Sequence, residues 1–189
     1  EEKPQEMNHQ GIVFVLTFVF LIPILLNLVC DLSINQKMVW SGYPVGALIL
    51  GYFIIVFPNW FKYPNPVILV PVDFAGVILY LAYINFVLGE NWFLPFALPV
   101  SLMLMFIVCA VITLLRYLKS GTLYILGGAS IALGAASVIT EILENAMISR
   151  DMLIWSYYPC VVFTVVGILL LLIAVCKPIR ESFKRKFFI

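Results

Sequence analysis

The 189 residues are 63% hydrophobic and 11% charged, with a net charge of +1 and a mean hydropathy of +1.09. A soluble domain carries roughly a quarter charged residues, so an ordinary water-soluble fold is excluded. One histidine, His9, argues against Ser-His hydrolases, His-ligated zinc proteases and His-based lipid phosphatases.

Apolar runs of about 18 residues or more mark membrane-spanning helices. The alternation of a β-barrel is missing, which leaves helices to satisfy the backbone in lipid. Residues 1–10 form an acidic leader with Glu1, Glu2, Lys3 and Glu6, the wrong sign for a cleavable signal. The first helix is expected over 11–34 and carries Asn27 and Asp31 near its end. Trp40-Ser41-Gly42-Tyr43-Pro44 opens the second, over 41–58, where Gly42 and Gly46 offer a small face.

The third helix, over 66–88, holds Asp73 and Asn85. If it starts at Pro66, Asp73 lies ~10 Å inside. If it starts at Pro71, Asp73 sits near the positive helix end, which suits a carboxylate; this second version is the expected one. Asn85 is expected to hydrogen-bond between helices. Asn91-Trp92-Phe93-Leu94-Pro95 opens the fourth helix, 94–118. The fifth, 122–146, is rich in small residues. Gly128, Ala132 and Ala136, four apart, would let a neighbour approach closely, either inside the bundle or across a homodimer. Trp155-Ser156-Tyr157-Tyr158-Pro159 opens the sixth, 156–176, and repeats the first Trp-Ser corner.

The fold expected is an all-α integral membrane bundle of six helices in three hairpins, over residues 11–176. Lys3, Lys62, Arg116, Lys119 and the tail cations fall on one side, against Lys37 and Arg150 on the other. The positive-inside rule then places both termini in the cytoplasm. Trp40, Tyr43, Trp92, Trp155, Tyr157 and Tyr158 would form an aromatic belt at the outer face. In the 177–189 tail, Lys177, Arg180, Lys184, Arg185 and Lys186 stand among Phe183, Phe187 and Phe188, a pattern that attracts anionic lipid. Basic residues interleave with aromatics only there, so nucleic-acid binding has no support. Cys30, Cys109, Cys160 and Cys176 form no CxxC pair. They read as isolated small apolar residues, with a Cys30–Cys160 bridge as the alternative.

Charges inside spanning helices are functional candidates by default. Asn27 and Asp31 are four apart, and Glu141, Glu144 and Asn145 fall at i, i+3 and i+4, so each set shares a helical face. If the first and fifth helices touch, the two sets make one outer acidic cluster able to hold protons or a divalent cation. Otherwise these acids end their helices in solvent. No catalytic residues or other cofactor emerge.

The Asp31…Trp40-Ser41…Tyr43-Pro44 corner, Asp73, Asn91-Trp92-Phe93-Leu94-Pro95…Leu98-Pro99 and the ending Lys184-Arg185-Lys186-Phe187-Phe188-Ile189 resemble a family of uncharacterised bacterial membrane proteins with an N-terminal zinc ribbon and about six transmembrane helices. The ribbon is missing here, so a segment preceding Glu1 is expected. The resemblance implies a multi-pass protein of the bacterial cytoplasmic membrane and transfers no catalytic residue. The function expected is a non-enzymatic membrane anchor, sensor or regulatory module. The alternative is a small transporter or channel coupled to protons or cations through the outer acids.

Overall fold

The computed structural model describes residues 9–61, 65–118, 121–150 and 152–176. Six α-helices run in order: α1 His9–Asn35, α2 Gly42–Ile55, α3 Pro66–Leu88, α4 Leu98–Tyr117, α5 Thr122–Ile148 and α6 Tyr157–Val175. Among the described residues there is no strand. Five of the helices are long and apolar enough to cross a membrane, with α2 the short one and α4 counted with the turn before it. The tail cations Lys177, Arg180, Lys184, Arg185 and Lys186 lie outside the described residues, as do Lys3, Lys62 and Lys119.

Each helix exists because an uninterrupted apolar run leaves its backbone no other partner. The interruptions set the details. Val56 ends α2, and a 3₁₀ turn at Phe57–Trp60 continues it, with Pro58 in its first turn. A π turn at Phe93–Ala97 precedes α4, and the Ala97 N–H reaches the Trp92 carbonyl at 3.3 Å. Pro99 supplies its reason. It has no N–H for the Pro95 carbonyl and its ring crowds that oxygen, so the preceding turn widens.

The third helix corrects an expectation. It begins at Pro66, not Pro71, and Pro71 lies within it. Asn65 starts it, its Oδ1 accepting from the Val67 N–H at 3.2 Å. A usable cap therefore precedes Pro66, and Pro71 is absorbed as an interior proline, as spanning helices tolerate.

The chain divides after Leu88 into two compact units. In the first, α2 packs on both α1 and α3. Gly42 and Gly46 face Tyr83 and Tyr80, and a Cβ on either would run into those side chains. The Tyr80 hydroxyl donates to the Tyr43 carbonyl at 2.8 Å. On the other flank of α2, Thr17 Oγ1 and Tyr52 Oη are 3.2 Å apart.

In the second unit, α5 packs on both α4 and α6. The α5–α6 seam is built from small residues at heptad spacing, Gly127 and Gly134 on α5 and Gly167 and Ala174 on α6, all buried. A Cβ at Gly167 would meet the Gly127 carbonyl oxygen at 2.8 Å. The contact edge lies one residue from the expected stripe: Gly127, not Gly128, meets α6, while a Cβ at Gly128 would touch nothing within 4 Å. The stripe of small residues is wider than a single seam, and spacing alone does not choose its contact edge. All four cysteines are free thiols.

Replacing Gly167 by alanine should push the two backbones apart and destabilise the protein by about 1–3 kcal/mol, as overpacking does. Gly128→Ala should be neutral or stabilising by up to about 1 kcal/mol, the helix preference of alanine. Melting of both variants in detergent checks the pair. Equal losses would refute the seam.

Candidate functional site: two carboxylate-clamped corners

Asp31 lies near the end of α1, and Gln36 closes that helix in the left-handed conformation, φ 53°. The chain then turns, and three successive N–H groups converge on one carboxylate oxygen. Val39, Trp40 and Ser41 donate to Asp31 Oδ2 at 2.8, 3.2 and 2.9 Å. The other oxygen, Oδ1, accepts from Asn35 Nδ2 at 2.8 Å.

The same construction recurs between α5 and α6. Ser149 closes α5 in the left-handed conformation, φ 56°. Ile154 and Trp155 donate their N–H groups to Glu141 Oε1, the second at 3.1 Å. Ser156 donates to Oε2 at 2.7 Å. Glu144, one turn on, accepts from the Trp155 indole N–H at 3.0 Å. Asn145 Nδ2 donates to the Met152 carbonyl at 3.1 Å and braces the loop.

Position and chemistry explain these contacts. The leading N–H groups of a helix lack intrahelical acceptors and carry its positive dipole end. Ser41 and Ser156 are the N-caps and the other donors are the two residues ahead of each, so one carboxylate from the preceding helix serves both the helix end and the turn that leads into it. Asp31 and Glu141 are 0% and 1% exposed, so neither ends its helix in solvent. Ser41 and Ser156, also fully buried, occupy the N-cap positions with helical backbone angles and make no side-chain cap. Their hydroxyls lie beside the carboxylates without the alignment of a hydrogen bond. The small side chain lets the carboxylate reach the backbone beneath it. Pro44 and Pro159 fall in the first turns, where no intrahelical acceptor awaits an N–H.

Asn27 turns inward on its own helix, its amide donating to the Pro23 carbonyl at 2.7 Å. Trp40, Trp155, Tyr157 and Tyr158 are exposed, and Tyr43 and Trp92 are half-buried, each at or beside a helix start. The third Trp-Pro copy carries the π turn where the other two have a clamp. Asn85 and Asp73 are half-buried in α3. Among the described residues no three His, Cys, Asp or Glu side chains gather as a metal site requires.

Sequence reasoning finds the repeated Trp-Ser corner and the acids but does not join them. The available signal is a carboxylate ahead of the same Trp-Ser pair in both places, ten residues before Ser41 and fifteen before Ser156.

A family model described as a family of unknown function, DUF6320, matches residues 2–189. The chain belongs to this family. No curated protein and no solved structure matches it. Family and fold together describe a multi-pass membrane protein of unknown function.

The two corners differ in a way that mutation exposes. Asp31 clamps with one oxygen, so in Asp31→Asn the amide oxygen can keep its place as acceptor while the new nitrogen faces a flipped Asn35. Glu141 clamps with both oxygens, so a glutamine must oppose a donor to a donor. Asp31→Ala and Glu141→Ala should each cost about 3–5 kcal/mol, from buried N–H groups left without acceptors. Asp31→Asn should recover at least half of that loss, and Glu141→Gln almost none. Thermal unfolding of the four variants measures the contrast, and equal rescue at the two sites would contradict the clamp geometry.

Proposed function

We propose that this protein is a non-enzymatic membrane module of the bacterial cytoplasmic membrane that anchors and regulates a cytoplasmic partner. The observation that carries the reading is the use of its most deeply buried acids. Asp31 and Glu141 bind backbone N–H groups of their own corners. Ion coupling through the outer acids would have to break those corners, and Glu144 already holds the Trp155 indole. The corners have the character of staples that fix helix pairs, as an anchor requires.

We further propose six crossings with both termini in the cytoplasm. Taken alone α2 is short, about 21 Å at 1.5 Å per residue. The 3₁₀ turn after it adds about 8 Å at 2 Å per residue, which brings the pair near the ~30 Å of a hydrocarbon core. The distribution of Lys and Arg supports the same sidedness. Lys177, Arg180, Lys184, Arg185 and Lys186 would then lie at the anionic inner leaflet, each contributing about 1 kcal/mol of attraction.

Reporter fusions at Glu1 and Ile189 should both be active only as cytoplasmic tags. Proteoliposomes of the full chain should pass protons and cations no faster than empty vesicles, read by entrapped dyes. Tags on opposite sides would overturn the six-crossing topology. A flux abolished by Glu144→Gln would overturn the module in favour of transport through the outer acids.

A further inference from the structure

Asp73 differs from the other acids of the spanning helices. It is half-buried in α3, and no described residue gives it a hydrogen bond or a counter-ion. Helix pairing fixes its level. Gly42 lies against Tyr83, Gly46 against Tyr80, and Gly76 against Leu50. Asp73, one turn beyond Gly76, therefore stands level with Tyr52 and Phe53, the latter an exposed apolar side chain. It is seven residues inside α3, which begins at Pro66, or about 10 Å along the axis. An aspartate side chain is too short to return from that depth to the headgroups, unlike lysine or arginine.

The element packed on α3 offers no charge. α2 contains no charged residue, and its titratable groups are Tyr43 and Tyr52. Tyr43 lies at the far end of α2, and the Tyr52 hydroxyl is paired with Thr17. On α3 itself, Tyr80 and Tyr83 are two turns or more away. Lys37, the cation of the first unit's described residues, belongs to the α1–α2 corner at the opposite end of α2. An ionised carboxylate inside a spanning helix is costly, and among the described residues of this unit neither a helix end nor a cation stands at this level to offset it.

We propose that Asp73 is a proton-binding site within the membrane. Its ligand is the proton itself, taken up and released by the carboxyl group while Asp31 and Glu141 stay clamped to backbone. The site goes beyond the module reading and stands whether the chain anchors or transports.

The probe is N,N′-dicyclohexylcarbodiimide, which partitions into lipid and reacts with the protonated carboxyl. The O–H adds across one C=N bond to give an O-acylisourea, which rearranges to a stable N-acylurea. No atom leaves, so the labelled peptide gains the full mass of the reagent. With the full chain in vesicles, mass spectrometry should find the adduct on Asp73, and not on Asp31 or Glu141. Labelling should fall about tenfold per pH unit above the midpoint, as for one titrating group. Asp73→Glu should keep the adduct and Asp73→Asn should lose it. If Asp73→Asn fails to fold, the pH profile of the unaltered protein still decides. An unlabelled Asp73, labelling independent of pH, or protection by sodium at constant pH would each overturn the proposal, the last by assigning the position to a cation.

Discussion

A carboxylate that gathers three consecutive backbone N–H groups is the interaction on which the described structure turns. In lipid an unmet N–H has no water to fall back on, and each one costs several kcal/mol. A helix can satisfy its interior but not its first turn and the residues just ahead of it. The corner before α2 and the corner before α6 meet that constraint in one way. The helix that has just ended supplies the acceptor for the helix that is about to begin. Each clamp is thereby also a tie between two consecutive helices.

The close packing beneath the corners follows from being tied at one end. In the second unit, Gly127 and Gly134 meet Gly167 and the Cys160 carbonyl, and the clamp at Glu141 lies a further heptad along the same face of α5. Gly127, Gly134 and Glu141 are thus one line of residues: two that let α6 come near and one that fastens its start. In the first unit the small face of α2 serves α3 instead, where Gly42 and Gly46 admit the rings of Tyr83 and Tyr80. Glycine is used in both units: within the tied pair of the second, and on both flanks of α2 in the first, where Gly51 meets Phe20 of α1.

Helix existence is legible in the sequence because lipid demands long apolar runs, and the runs of α1, α3 and α5 can be read directly. The boundary of α3 is not legible, because Pro71 satisfies the rule for a first-turn proline as well as Pro66 does. Only the cap at Asn65 decides between them. The clamps escape for a different reason. Helical periodicity pairs residues three or four apart, whereas Asp31 meets Ser41 across a turn, and Glu141 meets Ser156 across a longer one. A contact from side chain to backbone leaves no demand on the partner's identity, except that Ser must be small. The Trp-Ser echo is therefore visible while its cause is not.

That cause changes which acids are free to act. An intramembrane carboxylate is a functional candidate because burying its charge is costly, but the inference holds only while the charge lacks a structural counterpart. Three N–H dipoles at the positive end of a helix are such a counterpart, so depth alone does not separate a working acid from a structural one. Asp31 and Glu141 are the most buried acids described and have the most partners. Asp73 is less buried and has none among the described residues of its unit. The useful criterion is the ratio of partners to burial, and by that measure the acid with an unmet cost is the less buried one on α3.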